Sequence, residues 1–491
     1  MAEVVSDPRD LRIVQLEAEL EMRDAVIAKQ AAKLTEQAAK LAEQAAKLVA
    51  LEERVAELVE KLNQNSSNSH KPPSSDPPAN REQRRAKDKK KRRKRGGQKG
   101  HKGKRRELLP PEQVDEFVHH FPSECESCWK ALPEIHDPDA TRYQFTEMPP
   151  IRPHTTEHQR HAVKCPHCAY VTRAPYDANR IPSSPFGPRL MAVIALLTGY
   201  YHLSRRRAQS LLADLLGVSV SLGAISNVEK RVSDAVEPVV VEAWNRVGEG
   251  DVKYTDGTSW FQSGVMLCLW TIATKAATVF KILSDGTADR LAPLFGAIQG
   301  ILVSDRASAI NFWAMEARQI CWAHLIRKWV SFSERAGPAG AFGRELLDYA
   351  GLVFEYWHSF KDGELTRDEL VYRMVPVRQR VETLLESIVD ANIKGVSGSC
   401  ANVLAHRQAL WTFVDHDAVD ATNNHAEREL RAFVLWRKRS FGTQSERGNH
   451  FAERLMTIAH TARKQDKNVL AFLTACCEPT TPTPSLFDTT A

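Results

Sequence analysis

The sequence predicts a multidomain α+β chain, and three observations predict it. An apolar residue recurs every seven positions from Ile13 to Leu62, the period of a helix that packs along a seam. Two Cys-x-x-Cys pairs, Cys125/Cys128 and Cys165/Cys168, enclose a stretch with Pro149, Pro150 and Pro153 that reads as strands and turns. After residue 250 the apolar period changes from helical to alternating. It gives three strands, a helix and a fourth strand before helices resume.

Residues 1–10 read as disordered and 11–62 as a coiled coil, with Ile13, Leu20, Ile27, Leu34, Leu41, Leu48, Val55 and Leu62 at one seam position. The second seam position is weaker, with Gln30, Gln37 and Gln44. Two readings follow: self-association as a homodimer or higher oligomer, or a lone solvated helix. Residues 63–106 read as a disordered Asn/Ser/Pro linker and a basic tract. Residues 81–106 hold 16 Lys/Arg against Glu82 and Asp88, a local charge of 16 − 2 = +14 in a chain whose total is +6. Charge so localised points to a polyanionic partner. Arg92, Arg93, Arg95, Lys99 and Lys102 are candidate phosphate contacts, against a merely solubilising run.

Residues 107–180 form a zinc-ribbon-like module. Each cysteine pair offers two thiolates, and two pairs complete a tetrahedral structural zinc site with no open position; the alternative is four unrelated thiols. Residues 185–240 suit a helix-turn-helix. Ser204 caps a helix with Leu211, Leu212, Leu215 and Leu216 on one stripe, Gly217 ends it, and Ser221 opens a second helix. Arg205 and Arg206 are its candidate DNA contacts, although helical hairpins that bind nothing look the same.

Residues 245–336 hold the first part of an α/β core, with Asp256 ending the first strand and Asp305 ending the fourth. A helical insertion at 337–421 precedes a helix at 422–440 carrying Glu427, a helical region at 441–478 and a disordered tail at 479–491. Each acid has an ordinary reading. Asp256-Gly257 is a turn signal, Asp305 suits a helix cap, and Asn424-x-x-Glu427 fits a capping box. Together the three have the layout of a ribonuclease-H-like nuclease core, where carboxylates hold two divalent ions for phosphodiester cleavage. Cys321 and His324 lie close enough in sequence to abut that site, though a core cysteine and a structural histidine are the favoured reading. Arg428 and Arg431 make the Glu427 helix basic, for DNA phosphates or as a solvated face.

Several motifs now stand together: Asn-Gln-Asn-Ser-Ser-Asn-Ser at 63–69, Arg95-Gly96-Gly97-Gln98, the doubled Cys-x-x-Cys, Val303-Ser304-Asp305-Arg306, Cys321-Trp322-Ala323-His324 and Asn423-Asn424-His425-Ala426-Glu427-Arg428. With Leu435-Trp436-Arg437-Lys438 they resemble the insertion-sequence-66 family of bacterial transposases over most of the chain. The resemblance implies a DDE-type enzyme with Asp256, Asp305 and Glu427 as Mg²⁺ ligands, cleaving element ends and joining the freed 3′-hydroxyls to target DNA. It also implies small accessory partner proteins and a bacterial, cytoplasmic, nucleoid-associated location. At 257 a glycine stands where many relatives carry an acid. The longest apolar run, Leu190 to Leu197, is too short to span a bilayer. The rival function is a DNA-binding regulator derived from a transposase but catalytically inactive.

Overall fold

The computed structural model describes residues 8–69, 106–175, 184–296, 298–478 and 482–488. Arg92, Arg93, Arg95, Lys99 and Lys102 lie outside the described residues. The chain divides into two compact units, one of residues 1–84 with 327–344 and one of 85–326 with 345–491.

In the first unit a single helix, α1, runs Pro8–Asn63. It starts inside the segment expected to be disordered, because proline at the first helical position has its φ already set and no N–H to lose. Its heptad residues are all solvent-exposed, including Leu34 and Leu41 at 65 %. The linker expected from residue 63 also begins later than its composition suggests. Asn65 and Asn68 fold the chain after α1 by bonding the backbone: Asn68 Oδ1 accepts from Asn65 N at 2.7 Å, and Asn65 Oδ1 from Ser67 N at 2.8 Å. Asn68 Nδ2 then donates to Glu334 at 2.7 Å, and Arg335 pairs with Glu60.

The second unit begins with two small knuckles. Around Cys125 and around Cys165 the chain makes the same turn. The N–H of Cys125 bonds the carbonyl of Lys130 and that of Cys165 the carbonyl of Tyr170. The residue after each second cysteine, Trp129 or Ala169, takes φ near +60°. The second knuckle joins β1 (Ala162–Lys164) to antiparallel β2 (Val171–Arg173).

A helical group follows: α2 (Pro188–Ala195), α3 (Arg205–Leu216), α4 (Leu222–Ala235) and α5 (Glu237–Glu249). Both expected caps are present, with Ser204 accepting from Arg207 N and Ser221 from Ala224 N. Gly217 between them has φ 62°, a conformation glycine adopts without strain.

The core is a five-stranded sheet of β3 (Val252–Gln262), β4 (Val265–Ala273), β5 (Thr278–Leu283), β6 (Ile301–Ser304) and β7 (Arg318–Ile320), with α6 (Ala288–Phe295) before β6. The strand order is β5-β4-β3-β6-β7. The β3–β4 and β4–β5 pairs are antiparallel, and the β3–β6 and β6–β7 pairs parallel. The fifth strand, only three residues long, has no alternation to announce it. Beyond it come α7 (Trp322–Ser333), α8 (Gly337–Lys361), α9 (Arg367–Asp390), α10 (Ser397–Ala405), α11 (Thr412–Asp415), α12 (Asn424–Ser440), α13 (Glu446–Lys464) and α14 (Val469–Cys476).

The sheet is covered on both faces. Trp260, Leu269 and Phe280 pack against Leu430, Phe433 and Trp436 of α12 and Ala452 and Met456 of α13. Trp270, Ile272, Val279 and Leu302 pack on the other side against Ala243 and Val247 of α5 and Leu291 and Phe295 of α6. Neighbours such as Leu269 and Trp270 go to opposite layers, as a pleated strand requires.

Helix α13 also closes the β5 edge. Glu453, Thr457 and Thr461, each one turn apart, accept from the N–H groups of Ile282, Phe280 and Thr278 in turn. Four helical residues rise about 6 Å and two strand residues about 6.7 Å, so a helix face can follow an edge strand in step. The expected disordered tail is likewise anchored. Leu486 is fully buried in the helical core, and its N–H bonds Glu242 at 3.1 Å.

Candidate active site

The first two acids lie on or just past paired strands. Tyr254 lies opposite Val303 across β3–β6, and Val303 opposite Gln319 across β6–β7. Asp256 on β3, Asp305 just past the end of β6 and Cys321 just past the end of β7 each lie two residues beyond these partners. Asp256 shares the face of Tyr254 and Trp260, the face that α12 covers.

Asp256 is not at the end of its strand, as the sequence suggested, and Asp256-Gly257 is not a turn. The strand continues to Gln262 and turns at Ser263-Gly264. Gly257 is required for another reason. It lies opposite Trp270, and a Cβ there would come within 2.9 Å of the indole. Asp305 does not cap a regular helix either. Its Oδ1 accepts from Ala307 N at 2.9 Å in a tight turn.

The third acid is carried by α12, whose entry is fixed by Asn423. This fully buried residue occupies the N-cap position without capping. Its side chain donates instead to the carbonyl of Thr255 at 2.7 Å, next to Asp256, and its N–H donates to Cys321 Sγ at 3.1 Å. The capping box expected from Asn424 and Glu427 therefore does not form, because the helix begins one residue earlier than that pattern needs. Glu427 follows one turn after Asn423 on the same side of the helix.

Cys321 and His324 reach Glu427, whereas neither Asp256 nor Asp305 belongs to a group of three metal-ligating residues among those described. The ligating atoms of Cys321 and His324 and a carboxylate oxygen of Glu427 all lie within 4.8 Å of one another, the sole such group of three metal-ligating residues among those described. His324 Nε2 is 3.7 Å from Glu427 Oε1. Burial pushes the Cys321 thiol up to about 11, with backbone N–H groups pulling the other way. The four knuckle cysteines form no such group among the described residues. The N–H groups of Cys128 and Ser127 hold Cys125 below the ordinary thiol value, and those of Cys168 and His167 do the same for Cys165.

Arg318 gave no sequence signal. It is fully buried on β7 and donates to the carbonyl of Asp305 at 3.2 Å. Burial lowers its pKa, and the Asp305 charge opposes that. Of the candidate DNA-contacting arginines, Arg206, Arg428 and Arg431 are exposed, whereas Arg205 makes a forked ion pair with buried Glu229 of α4. That pair braces the α3–α4 hairpin.

Glu429 is distinct from Glu427. It is engaged by His460, by Lys464 at 3.1 Å and by His425 at 3.8 Å. Burial pushes its pKa up, but the His460 hydrogen bond and the Lys464 charge prevail and hold it at about 2.

The Transposase IS66 family matches residues 183–451, more than half of the 491, and the chain belongs to that family. The match spans all three acids and the Cys321/His324 pair. Residues 6–107 match a second family, described as a family of unknown function (DUF6444). No curated protein matches the chain. Among the described residues, no helix is long and apolar enough to cross a membrane.

Proposed function

We propose that this transposase cuts and joins DNA in a ribonuclease-H-like core, with Asp256, Asp305 and Glu427 as ligands for divalent metal ions. The observation that supports the reading is the order of the elements: Asp256 on β3, Asp305 just past β6, which pairs with β3, and Glu427 on α12, whose entry Asn423 ties to Thr255 beside Asp256. An acid on the first strand, one after the fourth and one on a late helix is the layout of such a core.

The residues fit hard ions. Carboxylate oxygens are the donors Mg²⁺ takes, and the acids come from separate elements, so they can surround a common point. Metal ions bound there would supply a strong nucleophile and charge neutralisation at the attacking and leaving oxygens. The chain's own share is positioning. Asn423 ties α12 to β3 and to the turn after β7, and Arg437 donates to Thr258 at 3.2 Å on the far side of Asp256. Exposed Arg206, Arg428 and Arg431 and the basic tract are proposed contacts for phosphates. The paired knuckles are proposed to hold one structural zinc, and the exposed heptad face of α1 to pair with a second copy.

The test is the full-length protein with Mg²⁺ and a duplex carrying an element end. Nicking and strand-transfer products are expected, with both lost in Asp305→Asn while DNA binding remains. Cleavage by Asp305→Asn at the wild-type rate would refute the assignment, as would binding without any nicking by the wild type.

A further inference from the structure

The geometry points to a second metal site, of the zinc class, formed by Cys321 Sγ, His324 Nε2 and Glu427, sharing that carboxylate with the proposed catalytic set. These three ligand atoms lie within 4.8 Å of one another. Cys321 ends the turn after β7 and His324 lies in the first turn of α7. One short segment thus supplies both the thiolate and the imidazole, and α12 supplies the carboxylate.

The surroundings of the sulfur are an independent observation. The backbone N–H of Asn423 donates to Cys321 Sγ at 3.1 Å. An N–H donor aimed at the sulfur suits a metal-bound thiolate, whose charge the metal would offset against the cost of burial. Outer partners of this kind orient and tune metal-bound groups. A set of one sulfur, one imidazole and one carboxylate is the borderline-soft donor set that zinc prefers, and it is unsuited to Mg²⁺. Three protein ligands leave a fourth position open to water or a phosphate oxygen. On binding, the thiol proton passes to solvent.

Glu427 would then serve both the proposed hard-ion ligands, Asp256 and Asp305, and the soft pair Cys321 and His324. The zinc would fasten α12 to the β7–α7 turn and hold Glu427 in place. The site rests on the proposed function only in naming Glu427 as catalytic; its geometry stands without that.

The experiment measures zinc per chain in full-length protein after dialysis against graded chelator. Wild type should retain about one equivalent that Cys321→Ser and His324→Ala each lose, with the Cys-x-x-Cys knuckles intact in all three. Equal zinc in folded variants would overturn the site. Glu427→Gln, on a different helix, covers the case in which both α7 variants fail to fold. It should release that equivalent at roughly tenfold lower chelator, on the scale of a lost metal interaction, and unchanged release would also overturn the site. Strand transfer in Mg²⁺ is assayed in parallel. Cleavage by a wild-type chain without the extra zinc removes this inference and leaves the proposed function; zinc without cleavage does the reverse.

Discussion

Two glutamates on α12, two residues apart, have opposite lives. Successive helical positions turn by about 100°, so Glu427 and Glu429 face different surroundings. Glu427 is partly exposed and shares its space with His324 and Cys321. Glu429 is buried among His425, His460 and Lys464, with its negative charge matched on the spot. On the proposed reading, the first side gains from an added cation. The second is complete as it stands. A site for chemistry and a structural ion cluster can thus be told apart by charge balance, even on one helix.

The sharpest way to break this comparison is to exchange charge for amide at each position. Glu427→Gln should lower cleavage and strand transfer by at least about 10³-fold, the scale for one member of a cooperating catalytic set. Its stability in urea should fall less than that of Glu429→Gln, because the Glu427 side chain is the more exposed of the two. Glu429→Gln should do the opposite. It strands Lys464 and His460 and should cost about 3–5 kcal/mol, while the folded fraction retains cleavage. The pH dependence has a definite sign. Because the folded pKa of Glu429 is lowered to about 2, its contribution is complete above the unfolded value of 4.5 and is lost as pH falls toward 2. Wild type should lose this increment in acid, whereas Glu429→Gln has none to lose. A large stability loss from Glu427→Gln, or lost catalysis in folded Glu429→Gln, would erase the distinction.

How much of this was legible in the sequence follows from what each pattern encodes. Alternation gave β3 to β5, the apolar run gave β6, and the serine caps gave α3 and α4, because these signals are local. The end of β3 was misread because Asp-Gly is a turn signal only when nothing opposes it, and here Trp270 lies across from Gly257. Motif spacing singled out Glu427 from Glu429, but the reason for the choice, the partners of Glu429 on α13, lies some thirty residues away. The role of Asn423 was invisible for the same reason: its partners are Thr255 and Cys321, both distant in sequence. Composition misjudged residues 64–69 and 482–488, where a few asparagines and one leucine suffice to anchor polar chain.

The structural side of the comparison sharpens further on α13, which carries His460 and Lys464 and also closes the β5 edge. Glu453 is nearly fully buried, and burial raises its pKa to about 7. An acid with a raised folded pKa gives stability that is complete below the unfolded value of 4.5 and lost as pH rises through about 7. Glu453→Gln keeps an acceptor for the N–H of Ile282 and has no charge to bury. It should therefore stabilise the protein by up to about 3 kcal/mol above neutrality and remove the decline between pH 4.5 and 7. An unchanged pH profile would show that Glu453 is ionised at no cost.

The smallest expected effect comes from Thr461, which both accepts from the N–H of Thr278 and donates to its carbonyl. Thr461→Val preserves shape and leaves that edge N–H without its acceptor, at a cost of about 1–3 kcal/mol. The loss should be local. Amide exchange at Thr278 and Phe280 should quicken more than at β6, and Glu427-dependent cleavage should persist. If cleavage fell while exchange at β5 stayed slow, the hydroxyl would be acting on the catalytic side of the helix layer rather than on the strand it borders. The division between the two faces of α12 would then not extend to α13.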